Sequence, residues 1–233
     1  MMNLDLSPLW VSLRASLLAT ILTFFLGVAF AGWRSRQQSR LWELFDGAVL
    51  LPLILPPTVV GFLLLVVFGR NGPIGSLLWR WGVTLVFSWP ATVIAAAVVA
   101  FPLVYLATRG ALELIEPSLL EVARVLGASE WRVFARIALP LAWPGILAGT
   151  VLGFARALGE FGATLMFAGN IPGRTETIPV AIYFAIEDGE MQQAFIWSGV
   201  VLAISFVVLA GLGAWTKHQR AFLARGGART EWK

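Results

Sequence analysis

Arg156 and Glu160 are the two residues of this chain best placed to act on charge, standing four apart near the end of a long apolar window. That spacing puts both on one face of a helix, and an ionisable group near membrane depth is expensive unless it has a partner or a task. Two readings fit. Arg156 pairs with Glu160 structurally, or it lends positive potential to the path of an anion, which Glu160 alone would repel. Gly153, Gly159 and Gly162 surround the pair and permit close backbone approach, for a gate or for plain helix packing. A second constellation lies earlier, where Trp131 and Phe134 sit three apart in a charged stretch. Much other chemistry is excluded. Cysteine is absent and His218 is the single histidine, which removes thiolate chemistry and the usual His-based metal and acid–base sites. No G-x-x-x-x-G-K-[ST] loop is present to cradle phosphates, so no ATP–Mg site, metal or other cofactor is expected in this chain.

The elements that must position these residues follow from composition. Hydrophobic residues make up 58% of the chain and charged residues 13%, against about 25% charged in soluble domains. Five windows free of Asp, Glu, Lys and Arg reach roughly the 20 residues that a spanning helix needs: 15–33, 47–69, 81–108, 137–155 and 191–216. Windows 161–173 and 177–186 fall short. Hydrocarbon demands internally satisfied backbone, and the windows are apolar all round rather than alternating, so helices are expected. The expectation is an all-α polytopic protein, one transmembrane unit over 1–233. Its spans fall at about 12–33, 47–69, 87–108, 139–158 and 193–216. The acidic start at Asp5, the length of the first window and the run Arg34, Arg36, Arg40 favour a retained span over a cleaved signal peptide.

Basic residues mark the cytoplasmic side. With the N-terminus outside, twelve lie inside: Arg34, Arg36, Arg40, Arg109, Arg124, Arg132, Arg136, Lys217, Arg220, Arg225, Arg229 and Lys233. Only Arg70, Arg80 and Arg174 lie outside. The net charge of +4 is therefore a topology signal rather than a sign of nucleic-acid binding. N-out, C-in is expected, with an acidic outer connection from Glu160 to Glu190. Pro52, Pro56 and Pro57 interrupt the second span and Pro102 the third, giving bent packing or a pore-lining bend.

The inside connection 109–140 reads as two short helices. The first opens at Pro117 and closes at Gly127, a candidate left-handed cap. The second follows Ser129, a favourable N-cap, and runs Glu130-Trp131-Arg132-Val133-Phe134-Ala135-Arg136. Its Trp131–Phe134 face suits either a groove in another protein or a lipid interface. The run Glu121-Val122-Ala123, three residues, Gly127, nine residues, then Ile137-Ala138-Leu139-Pro140 resembles the signature loop of ABC-importer permeases, usually E-A-A, three residues, G, nine residues, I-x-L-P. Only Val122 departs from it. The resemblance implies a type I permease fold and a coupling helix seated in a cleft of the ATP-hydrolysing subunit, with Glu121, Ala123, Gly127, Trp131 and Phe134 as coupling residues.

The stretch Phe154–Thr164 is similar to molybdate permeases and their sulfate relatives. Gly169-Asn170-Ile171-Pro172-Gly173 with Thr177-Ile178-Pro179 is closer to the molybdate branch. The resemblance implies molybdate import, with a sulfate, thiosulfate or tungstate importer as the alternative. It further implies a second permease copy, two ATP-binding subunits carrying ATP–Mg, and a periplasmic oxyanion-binding protein. Arg156, Gly159 and Gly162 are the candidates for the anion path.

Overall fold

A computed structural model describes residues 5–34 and 40–227, and the regular secondary structure among them is helical. The basic residues at 36, 229 and 233 lie outside these, as do the side chains of Arg40, Lys217, His218, Arg220 and Arg225. Helix α1 (Ser7–Arg34) has 28 residues, roughly 42 Å at 1.5 Å per residue, so it overruns a hydrocarbon core of about 30 Å at its ends. Helices α2 (Arg40–Ile54) and α3 (Pro57–Phe68) follow, then the short α4 (Gly75–Arg80) and the 25-residue α5 (Trp89–Glu113). Next come α6 (Pro117–Val125), α7 (Glu130–Val133), a π-helical turn over Phe134–Ala138, and α8 (Leu139–Leu158). Two short helices, α9 (Gly162–Ala168) and α10 (Ile178–Glu187), precede the long α11 (Met191–Gly227).

Four helical stretches are long and apolar enough to cross a membrane: Ser7–Arg34, Trp89–Glu113, Glu130–Leu158 and Met191–Trp215. The expected second span departs from a simple helix. Its two halves, α2 and α3, meet at a bend of 115° and count as a fifth span only if taken together. The cause is the pair Pro56-Pro57. Each proline lacks an amide donor and pushes the residue before it out of helical backbone, and the last α2 bond runs from the Leu55 amide to the Leu51 carbonyl at 2.9 Å. Pro102, in contrast, lies inside α5 and does not end it.

The core is built on α5. Gly145, Gly149 and Gly153 recur every four residues on α8 and face Ala111, Ala107 and Val104 of α5. A Cβ at Gly145 would lie 2.6 Å from the Ala111 Cβ, and one at Gly149 would overlap the Ala107 Cβ outright. Such stripes of small residues let apolar helices pack closely where no hydrophobic drive from water exists between them. On the other side of α5, Ala91, Ala95 and Val99 pack with Val60 and Leu64 of α3 and with Ala163, Phe167 and Ala168 of α9. The expected outer connection 160–190 is thus corrected: too short to span, α9 and α10 are nonetheless core, with Phe167, Ile178 and Val180 fully buried. Helix α11 rests on α10 through Trp197 and leaves Leu202 and Phe206 70% or more exposed, as a lipid-facing span does.

Candidate functional site

The helical knuckle at the basic end forms from strong local signals. Pro117 starts α6, where its missing amide costs nothing. Gly127 ends it at φ +80°, the left-handed region that disfavours a Cβ. The Ala128 amide then reaches back to the Ala123 carbonyl at 3.0 Å and the Gly127 amide to Arg124 at 2.9 Å, the pattern of a Schellman cap. Helix α7 begins after Ser129 as expected, but through its backbone: the Ser129 carbonyl accepts from the Val133 amide at 2.9 Å, and its hydroxyl makes no capping bond. Arg124 of α6 bridges to Glu130 of α7 at 2.7 Å, an exposed pair worth little on its own.

Two corrections concern what the knuckle presents. The second loop helix is not a separate piece. It runs through the π-helical turn into α8, so that Glu130–Leu158 is one continuous apolar stretch, and any force on α7 acts directly on a span. Secondly, Trp131 and Phe134 part company. Trp131 is 71% exposed, whereas the Phe134 ring lies against Gly32 of α1, two ring carbons 2.6 Å from where a Gly32 Cβ would stand. Phe134 is half-buried and packs against the chain's own core cluster of Ala31, Tyr105 and Leu112. Leu119, Val122, Val125 and Leu126 of the knuckle are likewise left exposed. Glu121 is exposed and Ala123 is buried.

At the far end of α8, Arg156 and Glu160 do meet. The Arg156 guanidinium lies 2.8 Å from one Glu160 oxygen, and the other oxygen accepts the Ala163 amide at 2.8 Å, at the start of α9. Glu160 is almost wholly buried and Arg156 partly so. The carboxylate therefore joins α8 to α9. A Cβ at Gly162 would lie 2.9 Å from the Pro57 Cβ, and one at Gly61 2.7 Å from that of Met166, so Gly162 serves the α3–α9 crossing. Gly159 stands in the break, a Cβ there touching nothing nearer than the Ala155 carbonyl at 3.6 Å. Arg156→Gln should lower the melting temperature by stranding a buried carboxylate. Adding Glu160→Gln should restore much of it, and a double variant no more stable than the single one would count against the structural pair.

One cluster escaped the sequence reading. Asp46 of α2 accepts from Arg34 of α1 at 3.1 Å, from Arg109 of α5 at 2.6 Å and from the Tyr105 hydroxyl. Arg109 also pairs with Glu113 at 2.6 Å. Three helices are thereby tied at the basic end. Its only sequence signal was an acidic residue between basic runs, read as the boundary of a window.

The described residues thus form an all-helical bundle of apolar spans, with an exposed glycine-hinged knuckle continuous with one of them. Residues 23–215 match the family of binding-protein-dependent transport system inner membrane components, and the chain belongs to that family. Among curated relatives, it is 52% identical over 178 residues to the molybdenum transport system permease protein ModB of Escherichia coli K12, covering 76% of this chain and 78% of that one. It is 41% identical over 209 residues to the ModB protein of Azotobacter vinelandii, covering 89% and 92%. Among solved structures, a bacterial ABC transporter that imports the acidic polysaccharide alginate superposes with a TM-score of 0.77 at 18% identity, covering 94% and 80%. The MetNI methionine ABC transporter does so at 0.71 and 15%, covering 94% and 99%. These structures share the fold.

Proposed function

We propose that this chain is the membrane-spanning permease of an ATP-driven importer for molybdate. The observation that carries the substrate is the identity, about half of aligned residues, to permeases named for molybdenum transport. In this reading the protein sits in the bacterial inner membrane, N-out and C-in, as two copies about a two-fold axis. Two separate ATP-binding subunits hold ATP–Mg against the knuckles, and a periplasmic oxyanion-binding protein delivers the anion to the other face. The exposed Trp131, Val122, Val125 and Leu126 are the apolar surface a groove on the ATPase would cover, with Glu121 and Gly127 shaping it. Arg156 is the candidate to lend positive potential to the path, a role that its ion pair with Glu160 weakens. A sulfate, thiosulfate or tungstate importer is the alternative.

The test is ATP hydrolysis by the reconstituted complex with its binding protein. Molybdate should stimulate it, and sulfate at equal concentration should not; stimulation by sulfate alone would transfer the assignment to the sulfate branch. Orientation is tested separately. A cytoplasm-active reporter fused after Lys233 should be active and one fused at Gly72 silent, the reverse pattern being fatal to the N-out arrangement.

A further inference from the structure

Away from the knuckle, a cavity of about 440 Å³ opens where α1 begins, lined by Ser7, Trp10, Val11, Arg14, Trp89, Gly173 and Arg174. Two guanidinium groups from distant parts of the chain therefore share one pocket. Neither makes an ion pair among the described residues. Of the nearby carboxylates, Asp5 accepts from the Ser7 amide and hydroxyl at 2.9 and 2.7 Å, and Glu176, half-buried and within reach of the Asp5 charge, is shifted toward its neutral form by burial first and by that charge second.

The pocket is held together by a built framework. The Ser12 hydroxyl of α1 accepts the Ile178 amide at 2.7 Å in a buried bond, tying α1 to the 169–177 loop. Within that loop the Thr175 hydroxyl donates to the Gly169 carbonyl at 3.1 Å and accepts the Ile171 amide at 3.0 Å. The Arg174 amide bonds the Ile171 carbonyl at 3.0 Å. Arg14 in turn lies 5.7 Å from the Trp10 ring centroid, within cation–π range. The arginines are thus brought to one cavity by ordered backbone rather than by chance surface placement.

We infer that this pocket binds a tetrahedral oxyanion at the membrane surface, the phosphodiester headgroup of an anionic lipid being the source at hand. Arg14 lies seven residues into α1, roughly 10 Å from its start, where a helix of 28 residues leaves the hydrocarbon. Trp10 and Trp89 beside it are the residue type enriched at headgroup level. Arginine's planar fork matches a phosphodiester's oxygens, and Trp10, Val11 and Trp89 offer apolar walls to the glycerol and upper acyl region. Only the name of the leaflet, outer, rests on the N-out orientation proposed above.

The test uses the full-length permease in nanodiscs of phosphatidylcholine with one-fifth phosphatidylglycerol, roughly the fraction that keeps both lipids in excess, read by native mass spectrometry. The wild type should retain phosphatidylglycerol. Arg14→Gln with Arg174→Gln should reduce that retention about thirtyfold, roughly fivefold per arginine. The melting temperature in pure phosphatidylcholine should stay at the wild-type value, separating lost binding from lost folding. In parallel, labelled molybdate and inorganic phosphate are offered to the protein in pure phosphatidylcholine. Arginine-dependent binding of either, without phosphatidylglycerol retention, makes the ligand a free oxyanion and overturns the lipid source. Retention equal in wild type and double variant, or absent from both, overturns the site. None of these readouts depends on transport, so failure of the importer reading would leave them unaffected.

Discussion

Replacing Asp46 by alanine should lower the melting temperature of the purified protein by about 6–20 °C. The carboxylate is buried and serves Arg34, Arg109 and the Tyr105 hydroxyl together. Removing one member of a buried network leaves the others uncompensated, at a cost of about 3–5 kcal/mol. In a chain of this size each kcal/mol is worth roughly 2–4 °C. Asp46→Asn, which keeps an oxygen for the Tyr105 hydroxyl but loses the charge, should fall between alanine and wild type. Glu113→Ala makes the contrast. Glu113 also pairs with Arg109, but its side chain is 59% exposed, and exposed pairs contribute about 0–1 kcal/mol. If Asp46→Ala melts within about 2 °C of wild type, the tie between α1, α2 and α5 is not structural.

Asp46 also marks where sequence reasoning ends. Windows defined by freedom from charge located the long helices well, because lipid imposes both length and composition on them. The same rule placed Asp46 at the edge of a window and could not see that Arg34 and Arg109, 12 and 63 residues away, would converge on it. The length rule failed differently at α9 and α10. Both were recognised as apolar and too short to span, and so were assigned to a connection. What buries α9 is the bend at Pro56-Pro57, which carries α3 back against it, whereas α10 is covered by Trp197 of α11 and Leu9 of α1; three prolines are visible in the sequence, but a 115° angle is a tertiary quantity. Gly127 was legible because a left-handed cap is a local event. Phe134 was not. Its spacing from Trp131 put both on one face of a helix, and only the missing side chain at Gly32, about 100 residues earlier, makes room for its ring.

That difference sharpens the test of the knuckle. In the proposed importer, Trp131 is the aromatic side chain free to enter a groove of the ATP-binding subunit. Burying such a side chain contributes roughly 1.5–3 kcal/mol, so Trp131→Ala should weaken co-purification of the ATPase about ten- to a hundredfold, with membrane insertion and melting temperature unchanged. Leu126→Ser, at the neighbouring exposed position, should act in the same direction more weakly. Phe134→Ala should behave in the opposite way, lowering the melting temperature by opening a void against α1 while leaving docking closer to wild type. Gly127→Val tests the angle of the knuckle rather than its surface. Nothing lies within 4 Å of a Cβ at Gly127, so the substitution meets no clash with other residues and acts only through its φ of +80°. Left-handed backbone costs an L-residue about 1–2 kcal/mol, and a β-branched one fits it worst. Because α7 continues into α8 without a break, re-aiming the knuckle should also uncouple ATP hydrolysis from substrate, leaving basal turnover that molybdate no longer stimulates. Should Trp131→Ala hold the ATPase at wild-type affinity while Phe134→Ala releases it from a folded, inserted permease, the inward packing of Phe134 would not describe the assembled state, and the docking surface would have to be redrawn around that ring.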